Sequence, residues 1–210
     1  FLMALQLTGA AKADSLANMQ VRLPVVVVGG GLTAIDTATE SLAYYPIQVE
    51  KFLKRYEALV AEHGSEAVER SWSQEERAIA EEFLSHAYAI RSERDEAATE
   101  AREARIVPLL QSWGGATIAY RRLLVDSPSY TLNHEEVEKA LEEGIWFGEG
   151  LTPLAIEVDA HGHAAELKVS QHLNAGDGVL VFEANVRDAG MWIDGVFIGG
   201  CHLNDCHYNP

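Results

Sequence analysis

Leu23-Pro24-Val25-Val26-Val27-Val28-Gly29-Gly30-Gly31-Leu32-Thr33-Ala34-Ile35-Asp36 is the stretch on which the fold turns. Four consecutive valines suit a strand buried on both faces, as in a parallel sheet. They run without a spacer into G-x-G-x-x-A, and Ile35 to Leu42 then reads as helix. Strand, glycine turn and helix N-terminus in that order are the context a dinucleotide fingerprint requires. Gly29 permits the tight turn, Gly31 lets the backbone approach a pyrophosphate, and Ala34 lets helix and strand pack closely. The expected cofactor cradle is the backbone of Gly29, Gly30, Gly31, Leu32, Thr33 and Ala34. Its free N–H groups and the positive end of the helix dipole would face the phosphates.

Around this corner the chain alternates strand and helix. The expected fold is therefore α/β: a Rossmann-like, mainly parallel sheet with a helical insertion and a short Cys/His-containing C-terminal segment. Residues 1–20 read as helix up to about Asn18, and the helix after the fingerprint is expected to close at Pro46. Gln48 to Arg105 is dense in Glu, Ala and Arg, with Leu53, Tyr56, Leu59 and Val60, then Ile79, Phe83, Ala87 and Ile90, at helical spacing. His63-Gly64-Ser65 breaks the first of these helices, and Ser73 with Glu76 forms a capping box for the next. Further on, Ala116 to Tyr120 reads as a strand and Asn133 as the cap of a helix over Glu135 to Glu143. Ile145 to Gly148 is a strand, Ala155 to Val158 and Glu166 to Val169 a hairpin around His161-Gly162-His163, and Val179 to Glu183 another strand.

The formal net charge is −16, and residues 126–210 carry 15 acidic against 3 basic side chains. Nucleic acid and anionic membrane are thereby disfavoured as partners, since both need a basic footprint. No apolar run approaches the roughly 20 residues of a membrane span. The opening FLMALQL has no basic n-region, so the expectation is a segment cut from a longer chain without a signal peptide. Cys201 and Cys206, too few for a disulfide framework, read as thiols of a reducing compartment, and the expected location is the cytoplasm. No Ser-His-Asp order with a nucleophile elbow is visible. His161 and His163 read as exposed turn residues, the four Trp as packing, and Asp36 as structural.

A dinucleotide fold reads the adenosine ribose at the end of its second strand. Ile47-Gln48-Val49 ending in Glu50 would suit a ribose 2′-hydroxyl and NAD. Ala116 to Tyr120 ending in Arg121 and Arg122 would suit a 2′-phosphate and NADP. The Arg pair is favoured, because three residues directly after a proline make a poor central strand.

LPVVVVGGGLTAIDT at 23–37, IAYRR at 118–122 and HEEVEKALEEGIWFGEGLTP at 134–153 occur in the order found in the glutamate synthase small subunit-like enzymes. These are FAD-dependent members of the pyridine nucleotide-disulfide oxidoreductase superfamily, and the resemblance covers about residues 1–183. It implies that the glycine loop is the family's NAD(P)H loop and that FLMALQ resembles the helix leading into it. The helical segment resembles an insertion of the large fused members. No second glycine fingerprint stands upstream, so the FAD adenosine half is expected from the remainder of the enzyme or a partner subunit. The expected division is 1–46 with 113–185 as the NAD(P)-binding domain, 47–112 as helical insertion, and 186–210 as a separate segment.

That last segment, DGVFIGGCHLNDCHY at 194–208, resembles the GCHxxDCHY stretch of the methyl-viologen-reducing hydrogenase delta subunit family. The resemblance implies Cys201 and Cys206 as iron–sulfur ligands, with a hydrogenase or a ferredoxin-like carrier as acceptor. The residues alone leave open a remnant motif, a cluster completed by another chain, a zinc site with His202 and His207, or inert thiols. The expected activity is thus electron delivery from NAD(P)H to flavin and on to an iron–sulfur acceptor. The alternative is an iron–sulfur or metal-binding electron-transfer protein of a hydrogenase-type complex.

Overall fold

The computed structural model describes residues 1–175, 178–187, 190–193 and 196–197; Cys201 and Cys206 lie outside them. The fold is mixed α/β. Helices α1 (Leu2–Thr8), α2 (Leu32–His63), α3 (Ser65–Glu69), α4 (Gln74–Thr99), α5 (Ile106–Ser112) and α6 (Pro128–Glu142) accompany two sheets. Strands β1 (Val25–Val28), β2 (Ala116–Ala119) and β3 (Trp146–Gly148) form one, and it is parallel, in the order β1-β2-β3. Strands β4 (Leu151–Val158), β5 (Ala164–Ala175), β6 (Gly178–Arg187), β7 (Gly190–Ile193) and β8 (Val196–Phe197) form the other. That second sheet is antiparallel throughout, which corrects the expectation of a mainly parallel architecture. Its first turn is as expected: Gly162 takes φ +86°, and the Asp159 carboxylate accepts from the amides of His161 and His163. None of the helices among the described residues is long and apolar enough to cross a membrane.

Two compact units divide the chain: Phe1–Val21 with Leu42–Leu109, and Arg22–Ser41 with Leu110 and the described residues after it. The first 21 residues therefore group with the helical segment. The division between the two units falls between Ser41 and Leu42, inside α2.

In the helical unit the N-terminal helix is shorter than expected. It ends at Gly9, which takes the left-handed conformation and closes the helix with its own amide on the Gln6 carbonyl. Residues 10–21 then run without regular structure, and one face of α2 supplies their hydrogen bonds. Tyr44 Oη accepts from Met19 N–H at 2.9 Å. Gln48 takes Val21 N–H on Oε1 (2.8 Å) and gives Nε2–H to the Val21 carbonyl (2.6 Å). Lys51 Nζ donates to the carbonyls of Ala10 and Ala17, and Arg55 to that of Ser15. These four recur every three or four residues, so they project from one face of the helix. Buried backbone needs partners, and side chains here do the work of a neighbouring strand.

Helix α2 also passes through Pro46, where a stop was expected. The proline removes one rung of the helix ladder, at a cost of about 3 kcal/mol. Tyr44, Tyr45, Val49 and Leu53 are all fully buried on either side of it, and their burial, at roughly 1.5–3 kcal/mol per side chain, outweighs the missing rung. Ile47-Gln48-Val49 is accordingly helix and not a second strand, and Glu50 pairs with Arg94. The α4 cap is as expected: Ser73 and Glu76 form both bonds of the capping box. Phe83 of α4 meets Tyr45 and Phe52 edge-on, with centroids at 6.2 and 5.8 Å.

Two outcomes follow for this unit. Gln48→Ala strands both polar groups of Val21, so denaturant unfolding should show a loss of about 2–3 kcal/mol. His86, whose Nδ1 lies 2.6 Å from Tyr45 Oη, is held below its ordinary pKa of 6.5 by burial, against the opposing pull of Glu82. The unfolded chain therefore takes up the proton first as pH falls. Stability should be full above pH 6.5 and decline as the pH drops from there through the lowered value. Urea midpoints measured from pH 7.5 to 5 should show a shallower decline in His86→Gln.

Candidate functional site

The carboxyl end of the parallel sheet holds the residues singled out by sequence. Val25 to Val28 lie in register with Ala116 to Ala119, and Gly29 N–H continues the ladder onto the Ala119 carbonyl at 3.1 Å. Gly29 takes φ +150°, a region that disfavours a side chain, and a Cβ there would lie 3.5 Å from that of Ala34. Tight turn and close helix packing are thus linked at one residue pair. The valines are half-buried and Val28 is 55% exposed, so the strand is not enclosed on both faces as the four-valine run suggests. Among the described residues β1 is an edge strand.

Gly30 and Gly31 differ sharply. Gly30 is buried under the ring of Tyr120, which a Cβ would meet at 2.4–2.8 Å. Its carbonyl accepts both the amide (3.1 Å) and the hydroxyl (2.9 Å) of Ser129. Gly31 has open space where a side chain would stand: apart from its chain neighbours, no heavy atom of the described residues lies within 4 Å. Its carbonyl begins α2 by accepting from the amides of Ala34 and Ile35. Leu32 and Thr33 are exposed. Among the described residues, the amides of Gly30, Gly31, Leu32 and Thr33 donate to no protein group, and the first turn of α2 holds no acidic residue. The corner is covered at its x position and bare where the fingerprint needs close approach.

Arg121 and Arg122 follow β2 directly, two and three residues past the last rung of the ladder. Both are exposed, and neither guanidinium pairs with a carboxylate among the described residues. Their backbone is held: Tyr120 N–H goes to the Gly148 carbonyl, Leu151 N–H to that of Tyr120, and Gly150 N–H to that of Arg122. The helix then starts earlier than expected, at Pro128 with Ser127 as N-cap, its Oγ accepting from Tyr130 N–H. Asn133, the expected cap, has non-helical dihedrals (φ −158°, ψ 69°) and marks the kink between a first turn and the rest of α6.

Tyr120, Ser127 and Ser129 were not among the residues expected at the site. Ser-Pro is itself a helix-start signal, cap followed by a first-turn proline, and it marks the start of α6. Nothing local shows that Ser129 reaches a glycine 99 residues away. Among the described residues no three His, Cys, Asp or Glu side chains group to hold a metal ion. In the helical unit a separate concavity of about 780 Å³ is lined by Phe52, Tyr56, Leu59, Val68 and Trp72 with Arg55, whose guanidinium is engaged by Ser15.

No protein-family model matches the chain. It is similar to a protein of Rickettsia prowazekii (strain Madrid E), "Uncharacterized protein RP006", at 40% identity over 170 residues. Those residues are 81% of this chain and 22% of the relative, so the chain spans about a fifth of the length of the protein it matches.

The two glycines should respond oppositely to a single methyl. Gly31→Ala adds it to open space at an ordinary φ, and the melting temperature should stay within about 1 °C of wild type. Gly30→Ala drives it into the Tyr120 ring, and unfolding should report a loss of about 1–3 kcal/mol.

Proposed function

We propose that this chain is the NAD(P)H-binding module of a flavin-dependent oxidoreductase, built on a Rossmann-like half-sheet and working in the cytoplasm. The observation that carries the reading is the run of amides without a partner among the described residues, Gly30 to Thr33, at the N-terminus of a long helix on the carboxyl edge of a parallel sheet. Ligands of open α/β sheets bind outside that edge, and helix N-termini favour anions. Read from its far edge, the strand order 3-2-1 matches one half of a dinucleotide fold.

In this reading the amides of Gly31, Leu32 and Thr33 hold the diphosphate, and Gly31 gives it room. Arg121 and Arg122 offer guanidinium forks to the ribose 2′-phosphate, which favours NADP over NAD. When bound, the nicotinamide supplies two electrons and the protein supplies its position. FAD fits these residues poorly: among those described, one glycine corner of this kind is present and a second dinucleotide has no cradle. A flavin site then belongs to chain outside this region or to a partner subunit, in keeping with a relative several times longer. The iron–sulfur acceptor of the same reading rests on Cys201 and Cys206, for which sequence is the support.

NADPH at 100 times its Kd should add about 2.7 kcal/mol to the folded state, several degrees in melting temperature. NADH should add less. Replacing Arg121 and Arg122 together by Ala should weaken NADPH about tenfold and leave NADH within about twofold. The absence of any shift with either nucleotide at millimolar concentration would sink the assignment.

A further inference from the structure

Ser127 and Ser129 are fully buried and linked, Oγ to Oγ, at 3.1 Å. Proton counting fixes the direction of the chain they form. The carbonyl of Gly30 can only accept, so the Ser129 hydroxyl proton is spent on it. Ser127 Oγ accepts from Tyr130 N–H and keeps its own proton for Ser129 Oγ. Tyr130 N–H, Ser127 O–H and Ser129 O–H thus point one after another toward Gly30 C=O, a relay in which each bond polarises the next.

The receiving carbonyl belongs to the same peptide group as the amide of Gly31. A trans peptide is planar, with C=O and N–H pointing in opposite directions. With the oxygen held by both the amide and the hydroxyl of Ser129, the Gly31 N–H must point away from α6, and a glycine with nothing within 4 Å of its side-chain position stands behind it. Drawing electron density onto the oxygen also makes that N–H a stronger donor.

We propose that Ser129, backed by Ser127, is a positioning residue for the diphosphate site: it sets the plane of the Gly30–Gly31 peptide and polarises the one amide placed for closest approach to phosphate. The inference rests on the function proposed above for the choice of ligand, while the effect on the amide is a property of the protein alone. It also accounts for two buried serines where alanine would fill the same space without needing partners.

The full chain tests this with three probes and one resonance. In Ser129→Ala, NADPH and inorganic pyrophosphate should each bind about tenfold more weakly, while adenosine 2′-phosphate, which engages Arg121 and Arg122, should bind within twofold of wild type. Ser127→Ala should weaken the first two about threefold. In both variants the Gly31 amide proton should move upfield in the ligand-free protein, further in Ser129→Ala. Equal losses for all three probes would mean a merely structural serine and overturn the inference, as would a Gly31 resonance that does not move. A wild-type chain that binds neither NADPH nor pyrophosphate would remove the proposed function, and the Gly31 resonance would still decide whether Ser129 acts on the amide. Should Ser129→Ala fail to fold, Ser127→Ala, which leaves the Gly30 contact intact, carries the same readouts.

Discussion

The last rung of the parallel ladder, Gly29 N–H on the carbonyl of Ala119, is the constraint on which the candidate site depends. It holds β1 in register up to the residue at which the chain must leave the sheet. Gly29 leaves with φ +150°, a conformation in which any side chain would be strained. The backbone turns there, so the strand ends where it does and α2 starts where it does. The same rung aligns the end of β2 with the corner, placing Tyr120 over Gly30 and the arginines just beyond it.

Each of the three glycines is then explained by a different neighbour. Gly29 answers to backbone conformation, Gly30 to the ring of Tyr120 and the grip of Ser129, and Gly31 to nothing among the described residues. In the function proposed above, that open position leaves room for the diphosphate. The amides that follow it have no partner among the described residues, and leaving orphan donors at a helix start costs stability unless water or a ligand meets them.

How much of this could be read from residues alone tracked the range of the interaction responsible. The glycine corner, the Ser73–Glu76 box, the break at Gly64 and the turn at Gly162 are decided within a few residues, and they stand where the sequence put them. Pro46 was misread because its cost is local and its compensation, the burial of Tyr44, Tyr45, Val49 and Leu53, is tertiary. The helix expected over residues 10–18 does not form: Lys51 and Arg55, which hold the carbonyls of Ala10, Ala17 and Ser15, look in the sequence like an ordinary polar stripe on a helix. The extent of the antiparallel sheet was missed for a similar reason. Alternation in β4 and β5 marks a hairpin, but which further strands join it is a matter of pairing and not of pattern. Ser129 was illegible because a buried serine and an exposed one look alike until the partner 99 residues away is known.

A polyanion site proposed on an acidic chain needs a reason, and the local field provides it. At physiological ionic strength charges beyond about 8 Å are largely screened, so the formal charge of −16 matters less than what stands at the corner. There the first turn of α2 is free of carboxylates, the helix dipole presents its positive end, and two guanidiniums without carboxylate partners among the described residues follow the neighbouring strand. The nearest acid along α2 is Asp36, exposed and one turn in; Glu149, across from the arginines, is already engaged by the amide of Leu124. A carboxylate bound to a backbone amide competes less for a guanidinium than a free one does. In the proposed reading the acidic balance of the rest of the chain acts mainly on encounter, slowing the approach of an anion, whereas residence at the corner would be set by the amides and arginines there.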